Sequence, residues 1–181
     1  MAEPGEAVGG KGFALVLAFL FAWLLDQSVK LWVEEHAEAF VMTEGGGLPV
    51  IFLSYVENSS ALFGWTARWP EALRLGLFSL AAFMAAGLAA LIYRGLAPGE
   101  WLSSAALGLF VGGAFSNLMD RFRLGASVDL FRLPLPSNLV ESAPVFNLAD
   151  VFIVFGAAIL LLELLVHEGR QRAATEPRHE D

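Results

Sequence analysis

No cysteine occurs anywhere in the 181 residues. That absence removes thiol nucleophiles, disulfides and thiolate metal sites together, and leaves the redox compartment undecided. Charge is scarce too: only 17% of the residues are Asp, Glu, Lys or Arg, and the net charge is −8. The acids crowd the two tails and the segment 34–57. No basic stripe remains to neutralise phosphates, which argues against nucleic acid as a partner. Histidine is limited to His36, His167 and His179. They lack the helical spacing of metal ligands and read as solvated surface residues, so neither a metal nor another cofactor is expected.

What is present is apolar. Hydrophobic residues make up 56% of the chain, more than a soluble domain of this length needs, and this points to an integral membrane protein with little soluble mass. Four apolar segments can be drawn, at 12–33, 75–93, 101–119 and 145–166. A helix needs about 20 residues to cross the hydrocarbon core, so each is long enough. The second and third carry no charge; the first is broken by Asp26 and Lys30, and the fourth holds Asp150 and Glu163. Lys11 ahead of the first segment mimics a secretory signal. Asp26-x-x-x-Lys30 is not a small-residue cleavage site, however, and three more segments follow, so it reads as a retained helix. The expected fold is an all-α integral membrane protein with four transmembrane helices. Residues 1–166 form one membrane-embedded domain, and 167–181 a polar, disordered tail. An even number of spans puts both termini on one side. Lysine and arginine are balanced between the two sides, so charge does not say which.

Between the first two spans, Gly45, Gly46, Gly47 and Pro49 break the chain, and 50–56 reads as a strand rich in β-branched and aromatic residues. A small sheet on the membrane surface follows from it. The segment 132–144 contains Pro134, Pro136 and Pro144, which exclude a helix and predict an extended cover near Asp129. Small residues over 81–87 predict a helix-packing face. Glu163 is expected to snorkel to the interface with His167 one turn on. The tryptophans read mostly as interfacial anchors.

The polar residues left in the apolar segments carry the functional signal. Asp26 and Lys30 are i, i+4; Asn117, Asp120 and Arg121 are i, i+3, i+4; Asn147 and Asp150 are i, i+3. With Asn58 after the strand, and Asp129, they fall at one side of the membrane, opposite the termini. An ionised Asp near a bilayer centre costs about 2.5–3.5 kcal/mol. These residues must therefore face one another, a cavity or water. Asp26 has Lys30 as a cationic partner and Asp120 an arginine, which leaves Asp129 and Asp150. Two close carboxylates share a proton, so one can activate water while the other protonates a leaving amine. On spacing alone, a structural polar pair or a proton relay stays open.

At these residues the chain resembles the lipoprotein signal peptidases (signal peptidase II). Asp26-Gln27-Ser28-Val29-Lys30 is similar to that family's Asp-Gln-x-x-Lys. Asn58-Ser59-Ser60-Ala61-Leu62-Phe63-Gly64 is similar to its Asn-x-Gly-x-x-Phe-Gly. Gly112-Gly113-Ala114-Phe115-Ser116-Asn117-Leu118-Met119-Asp120-Arg121 resembles Gly-Gly-x-x-Gly-Asn-x-x-Asp-Arg. Gly125-x-x-Val128-Asp129-Leu130-Phe131 and Phe146-Asn147-Leu148-Ala149-Asp150 resemble its two aspartate motifs. The resemblance implies an aspartic endopeptidase of the bacterial inner membrane that cuts prolipoproteins just before a diacylglyceryl-modified cysteine. It implies Asp129 and Asp150 as the catalytic pair, and Asn58, Asn117, Arg121 and Asn147 as residues of the substrate cleft. Asp26, Lys30 and Asp120 become polar support. It further implies cytoplasmic termini, an active site near the outer leaflet with the sheet on that side, membrane lipids as surroundings, a monomeric chain, inhibition by the cyclic peptide globomycin, and no metal.

Ser60 and Ser116 stand where that family has glycine. Each adds a Cβ and a hydroxyl beside a cleft residue, which is either tolerated or narrows the cleft. Three competing readings remain: a serine–lysine peptidase using Ser59 or Ser60 with Lys30, a small proton-coupled transporter, and a divergent paralogue that binds lipidated peptides without cutting them.

Overall fold

The structure, a computed structural model, describes residues 4–36, 52–59, 66, 68–132 and 144–175. Four helices and three strands follow in the order α1 (Pro4–Glu35), β1 (Phe52–Asn58), α2 (Glu71–Gly95), α3 (Trp101–Leu124), β2 (Ser127–Arg132), β3 (Val145–Phe146) and α4 (Leu148–Thr175). All four helices are long and apolar enough to cross a membrane. The glycine-rich break at 45–49, residues 50 and 51 of the expected strand, Ser60, the cover over 133–143, Trp65, and 176–181 with His179 lie outside the described residues.

Several boundaries differ from expectation. The fourth span does not begin at 145: Val145 and Phe146 pair as β3, and the helix starts at Leu148. It then runs on to Thr175, so 167–175 is helical rather than disordered. Once a helix is nucleated in its apolar part, polar residues of ordinary propensity such as Arg170 and Gln171 extend it at small cost.

α3 is the central helix, packed most closely on α1 and α4 and more lightly on α2. Its sequence explains why. Gly108 and Gly112, one turn apart, let the α1 backbone approach so closely that a Cβ on Gly112 would lie 2.6 Å from the Phe19 carbonyl oxygen. Gly113 of α3 does the same against Ala149 of α4, and Gly156 of α4 against Ala106 of α3, each at 2.5 Å. Without a hydrophobic drive between helices in lipid, close backbone contact of this kind carries the packing. The small-residue run of α2 is not such a face throughout: Ala81 and Gly87 are exposed, and nothing lies within 4 Å of a Cβ on Gly87. The lipid-facing surfaces are large and apolar, as at Phe83, Met84 and Val154.

α3 ends at Gly125, whose φ of 74° closes the helix in the left-handed region and turns the chain into β2. β2 is the middle strand of an antiparallel sheet in the order β1-β2-β3. Val56 stands opposite Asp129, Asn58 opposite Ser127, and Phe131 opposite Phe146. Val128 and Leu130 pack with Val33 of α1 in a small buried core, and Tyr55 and Leu124 flank it. Residues alternate across a strand, so Ser127 and Asp129 share the opposite face from that core. This alternation aims Asp129 at the helix ends.

At the end of the bundle that holds the termini, Lys11 donates to the Leu96 carbonyl at 2.7 Å and caps α2. Glu163 does not simply snorkel: the Ser103 hydroxyl of α3 donates to it. Trp32 and Trp101 are exposed near helix ends, as anchors are. Trp23 instead packs edge-on to Phe115, with ring centroids 5.4 Å apart.

Candidate active site

The predicted polar layer assembles where the ends of α1, α3 and β2 meet the start of α4. Its deepest part is an ion cluster. Asp26, Lys30 and Asp120 are all fully buried. Lys30 Nζ lies 2.6 Å from Asp26 Oδ2 and 2.6 Å from Asp120 Oδ2. Asp120 is thus paired with Lys30 across the α1–α3 interface, not with an arginine as helical spacing suggested. Buried charges persist only when their remaining valences are also satisfied. Gln27 Nε2 donates to Asp120 Oδ1 at 2.8 Å, the Ser116 hydroxyl to Asp26 Oδ2 at 2.7 Å, and the Ala149 amide to Asp26 Oδ1 at 2.9 Å. The cluster so joins α1, α3 and the first turn of α4. The third donor of Lys30 goes to Asn117 Oδ1 at 3.0 Å. These three bonds of Lys30 go to Asp26, Asp120 and Asn117, and none of them to Ser59.

Above this cluster, two asparagines hand the geometry on to the two remaining acids. Asn117 Oδ1 accepts from Lys30, from Ser127 Oγ at 3.0 Å and from Asn147 Nδ2 at 2.9 Å. Three donors on one oxygen fix which way the amide points. Its Nδ2 therefore faces Asp150 and donates to Oδ1 at 2.8 Å. Asn147 precedes the first residue of α4. Its Oδ1 accepts from the Asp150 amide at 3.0 Å, and its own amide donates to Asp150 Oδ2 at 3.1 Å. This is a reciprocal capping box, in which the third helical residue reaches back to the cap. Asp150 is held because the helix start needs that bond.

Asp129 is 3% exposed. Its Oδ2 accepts from Asn58 Nδ2 at 2.8 Å and its Oδ1 from Asn147 Nδ2 at 2.9 Å. Burial pushes its carboxyl up to about 6; the Asn58 bond opposes that rise and the charge of Asp150 adds to it. Asn147 touches both acids, one through its side chain and the other through its backbone. Arg121, almost fully buried, stacks its guanidinium 3.5 Å from the centre of the Phe78 ring and donates to the Asn58 carbonyl at 3.4 Å.

All nine residues singled out from the sequence thus meet in one network. One of the nine was expected in different surroundings. Asn147, read as a cleft residue, is fully buried and its amide is committed to the two acids and Asn117. Ser116, whose hydroxyl was open to being tolerated or to narrowing the cleft, is fully buried against Asp26 and Gln27. Gln27, Ser127 and Phe78 were missed. Period-two alternation from Asp129 would have found Ser127, had β2 been read as a strand.

The five motifs can now be set beside known proteins. The family model for signal peptidase (SPase) II matches residues 18–166. The chain belongs to the signal peptidase II family. A lipoprotein signal peptidase of Moorella thermoacetica is 42% identical over 160 residues, covering 86% of this chain and 95% of that protein. One of Geobacter sulfurreducens is 32% identical over 162 residues, covering 87% and 93%. A bacterial membrane enzyme solved in meso at 2.3 Å resolution has the same fold, with a TM-score of 0.66 at 19% identity over 92% of this chain and 94% of that one. The family is that of a peptidase in a multi-pass bacterial membrane protein, and the four spans agree with it.

Proposed function

We propose that this signal peptidase II is an aspartic endopeptidase that removes signal peptides from prolipoproteins before the diacylglyceryl-modified cysteine, with Asp129 and Asp150 as its acid–base pair. The observation that carries the reading is the convergence of both carboxylates on Asn147, each with a further amide donor of its own. With one proton shared between the two acids, the ionised member takes a proton from water as its oxygen attacks the scissile carbonyl. The protonated member then gives its proton to the departing amine as the C–N bond breaks. The pair ends with the same proton count it began with. Asn58 and Arg121 are assigned to the substrate's peptide groups. Asn117 and Asn147 act chiefly by holding the acids. Asp26, Lys30 and Asp120 fix the helix ends beneath them. The chain is placed in the inner membrane with both termini cytoplasmic and the acid pair and sheet near the outer leaflet, as a monomer sensitive to globomycin.

The test is a gel-shift cleavage assay on a diacylglyceryl-modified prolipoprotein in detergent. Wild type cleaves, globomycin stops it, and Asp129→Asn and Asp150→Asn each lower turnover by about 10²–10⁴-fold while remaining folded. Near-full turnover in either variant would overturn the pair. Folded wild type that binds the substrate without cutting it would favour the non-cleaving paralogue.

A further inference from the structure

Ser127 is a buried hydroxyl that the reaction as described does not use. It lies two residues before Asp129 on the same face of β2, 3% exposed. Its Oγ donates to Asn117 Oδ1 at 3.0 Å and accepts from Asn147 Nδ2 at 3.2 Å. A single hydroxyl therefore connects the two asparagines on which the acids depend. Asn117 carries the donor to Asp150, and Asn147 the donor to Asp129. An amide can flip by exchanging its oxygen and nitrogen at little steric cost, and only its partners forbid that. Lys30 and the Asp150 amide, which can only donate, set which end of each amide is oxygen, and Ser127 ties the two side chains to one another.

We infer that Ser127 is a positioning residue, whose hydroxyl bridges Asn117 and Asn147 and holds the two side chains in place so that both present N–H to the acid pair. The inference rests on the proposed roles of Asp129 and Asp150. Its effect passes through the asparagines, because Ser127 itself has no bond to either carboxylate among the contacts above. Among the described residues, the charged groups that act on Asp129 are Asp150 from α4, Lys30 from α1 and Arg121 from α3, and a change at Ser127 leaves all three in place.

Threonine and valine test this as a pair, since they share one shape and differ by the hydroxyl. Ser127→Thr keeps turnover within about 2-fold of wild type. Ser127→Val lowers kcat by about 3–10-fold with KM little changed. The pH profile adds a readout that a merely structural role would not move. Loosening the Asn147 bond removes support for the ionised carboxylate of Asp129, which already titrates near 6. The limb of the profile that Asp129 sets therefore moves to higher pH in Ser127→Val by about half a unit or more. Thermal unfolding of both variants in detergent separates misfolding from mispositioning. Equal kcat and pH profiles in folded Ser127→Thr and Ser127→Val, with wild type active, overturn the inference. Equal loss in both variants also overturns it, because shape and not the hydroxyl would then be responsible. A wild type that cuts no lipidated substrate overturns instead the function on which it rests.

Discussion

At the scale of single residues, the polar layer works by exhausting the bonding capacity of each member. Lys30 has three donors and all three are engaged; Asn147 serves both acids through separate atoms. Ser116 belongs to this class. Glycine at its position would remove the hydroxyl that bonds Asp26 and accepts from Gln27 at 2.9 Å. A buried carboxylate left short of a donor is destabilised by roughly 1–3 kcal/mol. Ser116→Gly is therefore expected to lower the unfolding midpoint in detergent and to bring no gain in turnover, measured by thermal denaturation beside the cleavage assay. A rise in turnover would show that the serine obstructs the cleft after all. The i, i+4 spacing made Asp26–Lys30 legible in the sequence. The second partner of Lys30 was not legible, because Asp120 is 90 residues away.

At the scale of elements, α3 is built from two different surfaces on one helix. Its first two-thirds carry glycines at the contacts with α1 and α4, and its last turns carry Ser116, Asn117, Asp120 and Arg121. The glycines bring the helices close enough for short side chains such as serine and asparagine to bridge them. Gly112→Leu should thus abolish the folded state, since the Phe19 backbone has nowhere to move, whereas Gly87→Leu should be tolerated because its surroundings are open. Fluorescence-detected size-exclusion of the two variants checks this, with a sharp monodisperse peak expected only for Gly87→Leu. Composition alone pointed to the run at 81–87 as the packing face. Small residues allow close approach but do not require it, so the helix's rotation about its axis decides whether a neighbour is there. The start of α4 shows the reverse case. The Asn147-x-x-Asp150 spacing was visible as two polar residues on one helical face, and the structure gives it a second meaning as a helix cap.

At the scale of the whole molecule, the missing cysteine becomes an experimental asset. Single cysteines can be introduced on a silent background at exposed Glu57, in β1, and at exposed Gly99, in the turn between α2 and α3. With the proposed orientation, a membrane-impermeant maleimide labels Glu57→Cys in intact spheroplasts and Gly99→Cys only after lysis. The opposite pattern would invert the orientation and move the acid pair to the cytoplasmic face. The sequence by itself determined the four spans, the family and nine of the polar residues that meet. Length, apolar composition and the cost of a charge in lipid act locally along the chain, and each can be read one segment at a time. Only the tertiary structure decided that Lys30 bridges Asp26 and Asp120, that Asn147 braces both acids, and that Ser116 and Ser127 are bonded within the network. Those pairings depend on the rotation and depth of each helix relative to its neighbours. Glycine contacts between α1, α3 and α4 set these quantities, and residues near in space but far apart in the chain carry no shared spacing from which to read them.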